Sequence, residues 1–566
     1  MSTQVGNLGI NDTLVGSDSV NSLYGDFNSI SNPRDVLRGG NDELSIVNII
    51  TPGTVLPDIN QNSLYGDGGS VITDNKSTAI VKGGDDSLVA RAEGFSTLPR
   101  PAVPFSNTVY GDVDLVNASN ASTVIVAGGN DTLEATASFN FSVTFITHTA
   151  SNFLYGDIGT VDTSNGSRIV VKGGDDSLAA TASPSGAFAG TASLGSNTLD
   201  GDVGSVAAVS SIVIVKGGSD TLNATARPFA RFATASNILN GDVGSLKAVD
   251  NSTTAVIGGN DTLQAAATAS ALFVASRASN TLNGDVGSIE ADNSTTIVDG
   301  GRDTLQAIAS VSVTSSVEAS NTLNGDVGSI TASNNSSIIV RGGGDSLQAS
   351  ASPVGSVLTG VSNTLNGDVG SVNVSAGARV RVNAGNDLLV SGANQDILVG
   401  DVGSVTADAT SRVIVRAGND VLTGGGGNDK LYGDVGSQSG AYVTITGGND
   451  VLNGTDAVSS GFGELDELTG GGGADKFVLG DSSRVYYAGN GNRDYALIQD
   501  FTTSDTLQLR GNAAAYVLDS SYVVSGISGV YTAILTNNGS ELIGVLQGVS
   551  LTNTAFTTTP GAFTFV

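Results

Sequence analysis

Residues 417–434 read AGNDVLTGGGGNDKLYGD, and the fold of the chain turns on how they are read. Within them, residues 424–432 (GGGGNDKLY) fit the pattern G-G-x-G-x-D-x-U-x, where U is a large apolar residue, and residues 470–478 (GGGGADKFV) fit it again. A nonapeptide of this form is one of the repeat patterns of a parallel β-helix. The glycines allow a tight turn, and the single large apolar residue faces the core of a short strand.

Two boxes recur outward from this stretch. Gly-Asp occurs with Asp26, Asp67, Asp112, Asp157, Asp202, Asp242, Asp285, Asp326, Asp368, Asp401 and Asp434. A GGNDTL-like box carries Asp42, Asp86, Asp131, Asp176, Asp220, Asp261, Asp303, Asp345, Asp387, Asp420 and Asp450. Successive Gly-Asp markers lie 33 to 45 residues apart, which makes eleven repeats and predicts a solenoid. Each repeat contains a GGxDTL box, a variable long arm, an SNTLNGD box and a shorter arm such as VGSIEADNSTTIV (286–298). The last two repeats lack the long arm and show the bare unit.

Composition supports thin stacked strands over ordinary domains. The 566 residues include 77 glycines, with 5% aromatic residues and neither Trp nor Cys. Yet 39% of residues are hydrophobic and 14% charged, which also argues against disorder. The net charge of −30 opposes nucleic acid and anionic membrane as partners and favours cations. Without Cys, and with His148 as the one histidine, disulfides and zinc clusters are excluded. The N-terminal MSTQVGNLGINDTLVG has no signal-peptide pattern, and no apolar run is long enough to span a bilayer.

With its two full nonapeptides and a dozen degenerate ones, the chain resembles the RTX (repeats-in-toxin) calcium-binding proteins over about residues 6–510. That resemblance implies a parallel β-roll with calcium ions in rows between coils. It departs from the family in two ways. Most GGxD boxes lack the first glycines, and most partner boxes place Asn152, Asn197, Asn237, Asn280, Asn321 or Asn363 where the family has aspartate. The reading is therefore an all-β parallel β-roll or β-solenoid of about eleven enlarged coils, one per repeat, with a C-terminal β cap. Its divisions are a start at 1–26, the solenoid at 27–454, a last nonapeptide and capping segment at 455–509, and a β cap or secretion signal at 510–566.

The long arms alternate with period two. In LEATASFNFSVTF, Leu133, Ala135, Ala137, Phe139, Phe141, Val143 and Phe145 fall on one face, which predicts a strand with one buried side. Eight of the ten prolines sit in the long arms and none in a box, so the boxes are expected to form the continuous ladder.

Stacking one GGxD aspartate per coil places like charges about 4.8 Å apart, with repulsion of roughly 3 kcal/mol per pair at an effective dielectric near 20. Only seven lysines exist in the chain. Calcium between coils resolves the conflict, since it takes six to eight oxygens and glycine-rich turns expose carbonyls. The candidate ligands are the eleven GGxD aspartates, Asp12 of GINDTL, Asp396 of ANQDIL and the nonapeptide aspartates Asp429 and Asp475. GND and NGD are also ordinary turn formers. For the Asn row, a stacked amide ladder is the favoured expectation.

At the C-terminal end, IQDFTTSDTLQL (498–509) resembles the segment that caps many RTX arrays. Residues 510–566 are then implied to be an uncleaved signal for type I secretion, the alternative being a β cap with no address function. The N-terminal coil shows no capping pattern, so head-to-tail self-association is an expectation. No room for a catalytic domain exists outside the array, and no G-x-S-x-G, H-E-x-x-H or P-loop motif occurs, so the chain is not expected to be an enzyme. His148 is expected to pack or lie at the surface. The expected function is a secreted, calcium-dependent structural protein of a surface layer, matrix or filament. The alternatives are a calcium-dependent adhesin and, behind it, a polysaccharide-modifying enzyme on a β-helix.

Overall fold

The computed structural model of the chain describes all residues except 1, 17–19, 32–35, 51–59, 97–103, 142–146, 187–191, 272–275, 313–316, 355–359, 537–538 and 560. One repeat makes one coil. Each strand pairs in parallel with its counterpart one repeat away, as in Leu133 with Leu178, Asn152 with Asn197, Val161 with Val206 and Val170 with Ile214.

A coil has four strands, for example Thr132–Phe141, Thr147–Tyr155, Ile158–Ser164 and Arg168–Lys172. They belong to four separate sheets, and the third and fourth sheets each hold eleven described strands. The first and second strands, joined through the long arm, pack their Leu and Ala side chains together, with Leu133 and Leu154 in one core. The third and fourth strands form a second lobe filled by Val, Ile and Ala, including Val161 and Val171. The outer part of the first lobe is packed mainly with alanine, such as Ala226, Ala235 and Ala267, which lets its two sheets lie close. Small residues thus suffice because each lobe is only two strands thick.

The short arm turns at residues that tolerate left-handed backbone. Asn165 (φ 55°) and Gly166 (φ 75°) form a two-residue bend closed by the Ser167 N–H to the Ser164 carbonyl at 3.3 Å. Asn120 with Ala121 and Asn334 with Asn335 repeat this bend in other coils.

The long arm extends the ladder beyond the boxes. Its inward residues Leu133, Ala135, Ala137 and Phe139 are buried as the alternation requires. Val143, Phe145 and the side chain of Phe141 lie outside what the structure describes. The arm strands remain in register for ten residues, Thr132–Phe141 against Ser177–Gly186, so the ladder is not confined to the boxes. His148 is buried with its ring edge-on to Phe139 at 4.9 Å between centroids, a packing role.

The Asn row is an amide ladder. Asn107 donates to Asn152, Asn152 to Asn197, Asn197 to Asn237 and Asn237 to Asn280, each at 2.8 Å. The second Nδ2 hydrogen of Asn197 reaches the Thr225 carbonyl at 3.0 Å, tying the second sheet to the first. Replacing Asn197 with Ala leaves two buried amides short of partners. The expected cost is about 2 kcal/mol, read as a lower thermal midpoint in saturating calcium with a change confined to neighbouring coils.

The array ends in a β cap. Tyr495–Ile498 continues the second sheet and pairs in parallel with Glu541–Gln547, which pairs antiparallel with Tyr531–Thr536. Thr506–Leu509 continues the first sheet and pairs with Phe563–Phe565. Leu479, Tyr487, Phe477 and Ile543 close the end of the leucine core.

Candidate metal centre

Between the lobes the chain crosses a narrow waist twice in every coil. Gly-Asp leads from the second strand to the third, and GGxD leads from the fourth to the first. The crossings are so close that a Cβ on Gly111 would sit 1.5 Å from the Gly156 carbonyl oxygen and 2.0 Å from Asp131 Oδ2. No residue but glycine fits there, which accounts for the repetition of Gly before Asp.

The GGxD aspartates form one buried row. The Asp131 N–H donates to Asp176 Oδ1 at 2.7 Å, and the same link runs from Asp12 through Asp42 and Asp86 to Asp475 and on to Asp505. Asp12 heads this row half-buried, while Asp42 to Asp475 are buried. Asp396 and Asp429 do not join it. They continue the column of the Asn row, where Asn363 N–H donates to Asp396 Oδ1 at 2.6 Å and Asp396 N–H to Asp429 Oδ1 at 2.9 Å.

The Gly-Asp aspartates stand in the sequence as repeat markers, outside the expected ligand set. The structure brings them onto the same axis as the GGxD row. Asp112, Asp131 and Asp157 are fully buried and each offers one carboxylate oxygen within 4.8 Å of the others; Asp67, Asp86 and Asp112 do the same one coil earlier. The missed signal was the spacing: Gly-Asp precedes GGxD by 18 or 19 residues in nine of the eleven repeats, while the long arm varies. Asp466 and Glu464 were also missed, and they sit in GFGELDELT (461–469), a degenerate nonapeptide. Asp466 Oδ1 accepts from Asp429 N–H at 2.8 Å, and Tyr487 O–H donates to Oδ2 at 2.6 Å.

Most waist carboxylates spend one oxygen on the backbone and leave the other bare, while Asp26, Asp242, Asp285 and Asp434 engage both. Asp112 Oδ2 accepts from Gly129 N–H at 3.3 Å and Asp131 Oδ1 from Asp86 N–H at 2.7 Å. Asp112 Oδ1, Asp131 Oδ2 and Asp157 Oδ1 are buried with no hydrogen-bond partner. Burial first, and then neighbouring carboxylates, push Asp112, Asp131 and Asp157 well above the ordinary aspartate range. Asp86 is pushed up to about 9 and Asp176 to about 8, in both cases mainly by burial. The five ion pairs among the described residues are all exposed and none reaches the waist.

An axis of orphaned oxygens with no sulfur or imidazole donor suits a hard cation. Calcium and magnesium are the ions such donors hold, and tight glycine turns with shared carboxylates match the larger, more adaptable calcium sphere. Fold and site together define a parallel β-solenoid with an axis of carboxylates suited to a hard cation.

A family model of the RTX calcium-binding nonapeptide repeat matches the chain in four copies, over residues 375–406 and 412–437. The chain carries RTX calcium-binding repeats. No curated protein matches it significantly. The matched coils are those with the shortest connections. There Leu388–Val390 and Ile397–Val399, then Val421–Thr423 and Lys430–Tyr432, continue the first two sheets with only a six-residue turn between them, SGANQD in the first and GGGGND in the second. The enlarged coils upstream keep the same strands in register, so the long arm occupies the place of that turn.

Proposed function

We propose that the chain is a secreted structural protein of a cell surface or extracellular matrix, folded by a column of calcium ions held along the waist. The supporting observation is the pair of interleaved aspartate rows. Each coil contributes two buried carboxylates, Asp112 and Asp131 for example, and one divalent ion per coil neutralises them. Asp112, Asp131 and Asp157 would hold such an ion together, and its positive charge would replace the proton that burial otherwise forces on them.

The ion count tests this reading. Equilibrium dialysis with radioactive calcium should give a stoichiometry on the order of ten, rising along the array with coil number. Asp157→Asn with Asp202→Asn should remove two or three ions and leave distant coils loaded. A count of only one or two, unchanged in the double variant, would sink the waist as the site.

Secretion follows from the same chemistry. In a cytosol poor in calcium the carboxylate rows keep the chain unfolded and fit for export, and calcium outside the cell folds it. On this reading residues 510–566 serve the type I machinery as well as closing the core. End-to-end association of rods completes the structural role. Light scattering in millimolar calcium should show particles larger than one chain, and a strictly monomeric protein would favour an adhesin instead.

A further inference from the structure

The fourth sheet carries charge opposite to that of the molecule. Six of its strands end in Arg or Lys, namely Arg38, Lys82, Lys172, Lys216, Arg341 and Arg416, and Asp299 is the one acid on its described strands. On a chain of net charge −30 this is a segregated basic face. It culminates in the strands Arg379–Asn383 and Arg412–Arg416.

Val380, Val382, Val413 and Val415 point into the second lobe, so alternation turns Arg379, Arg381 and Arg412 outward. Arg379 pairs directly with Arg412 on the next coil, and Arg381 lies between Ile339 and Ile414. Two like charges in register on adjacent strands are destabilising unless an anion lies between them. Nearby charges are otherwise engaged. Arg341 is paired with Asp299, and Asp408 on the adjoining bend accepts from Ala376 N–H at 2.7 Å and Thr410 N–H at 2.9 Å. None of the ion pairs among the described residues uses Arg379, Arg381 or Arg412.

Arg379, Arg381 and Arg412 line a cleft of about 720 Å³ with Ser337, Thr410 and Tyr442, a residue 58% exposed. We propose that this cleft binds an acidic polysaccharide through its carboxylate or sulfate group. Arg379 and Arg412 fork onto the oxyanion, Arg381 adds a third charge, and Tyr442 offers a flat ring to the face of a sugar. A sparse polyanion suits a face with about one cation per coil, whereas a dense one such as a nucleic acid calls for a continuous basic row. A concave cleft also fits a single sugar better than the flat sheet of a second copy.

The test uses the full calcium-loaded chain with hyaluronate, dextran sulfate, neutral dextran and polyglutamate, by titration calorimetry. The two acidic polysaccharides should bind, with their relative affinities showing which oxyanion is preferred. Neutral dextran should not bind, and polyglutamate should bind about tenfold more weakly for want of a ring to face Tyr442. Arg379→Gln with Arg381→Gln and Arg412→Gln should lower affinity at least about tenfold, with calcium content and circular dichroism unchanged. If the triple variant misfolds, Arg381→Gln alone serves, with an expected loss of about threefold. Absence of binding, binding indifferent to the arginine variants, or polyglutamate binding as tightly as the sugars would overturn the proposal. So would association between copies that the arginine variants abolish. The calcium column is read separately by ion content, so its failure and the failure of the cleft are distinguishable.

Discussion

Excess chelator at neutral pH should abolish most of the β-sheet circular dichroism of the chain, and restored calcium should return it. The reason lies in the waist. Asp112, Asp131, Asp157 and their counterparts in other coils place carboxylates within 4.8 Å of one another, buried and with bare oxygens. Stripped of the ion, each must either ionise against its neighbours in a poor solvent for charge or hold a proton at a pH where free aspartate has lost it. Either course costs several kcal/mol per coil, against a net stability for a whole domain of only about 5–15 kcal/mol. Because neighbouring coils share an axis, loss should spread along the array. The cap, with its antiparallel pair Tyr531–Thr536 and Glu541–Gln547 and its own apolar core, should keep residual structure. A chain equally folded in chelator would remove calcium from the folding reaction.

The second large effect is an inverted pH dependence of the metal-free chain. A carboxyl whose folded pKa lies above its unfolded value of 3.8 binds its proton more tightly when folded. Its contribution to stability is therefore complete below 3.8 and is lost as pH rises through the folded value. That value is about 7 for Asp345 and Asp420, about 8 for Asp176 and about 9 for Asp86, raised in each case chiefly by burial. The metal-free chain should accordingly be most structured near pH 4 and lose structure progressively between about pH 4 and 9. With calcium present the order reverses, because the ion needs the deprotonated carboxylates. Circular dichroism from pH 4 to 8, in chelator and in calcium, should give curves of opposite slope. Parallel curves would mean that the waist carboxylates do not govern folding.

Most of the fold was legible because the solenoid writes its geometry into its period. In a parallel in-register stack each residue meets its own counterpart, so SNTLNGD copies had to lie above one another and Asn197 had to meet Asn237. The candidate site was legible only in half. GGxD was recognisable because Asp429 and Asp475 stand in complete nonapeptides, which set the pattern for their degenerate relatives. The Gly-Asp row was hidden because its partner lies two strands and a bend away, as Asp112 does from Asp131. Only the folding back of the short arm brings the two together. Asp396 and Asp429 show the converse limit: they share the motif of the GGxD row yet stand in the column of Asn363, because a nonapeptide alone does not say which side of the coil it occupies.

The row of N–H to carboxylate links from Asp42 to Asp475 also has a mechanical meaning. Each link joins one coil to the next, beside an oxygen that needs the ion, so part of the hold between neighbouring coils depends on calcium. Pulled from its two ends, such a rod should yield in steps of one coil, lengthening by about 33 to 45 residues each time. The force of each step would be set by the calcium concentration of the surrounding fluid. The stiffness of the rod is then adjustable by the ion content of its surroundings, with no change in the protein itself.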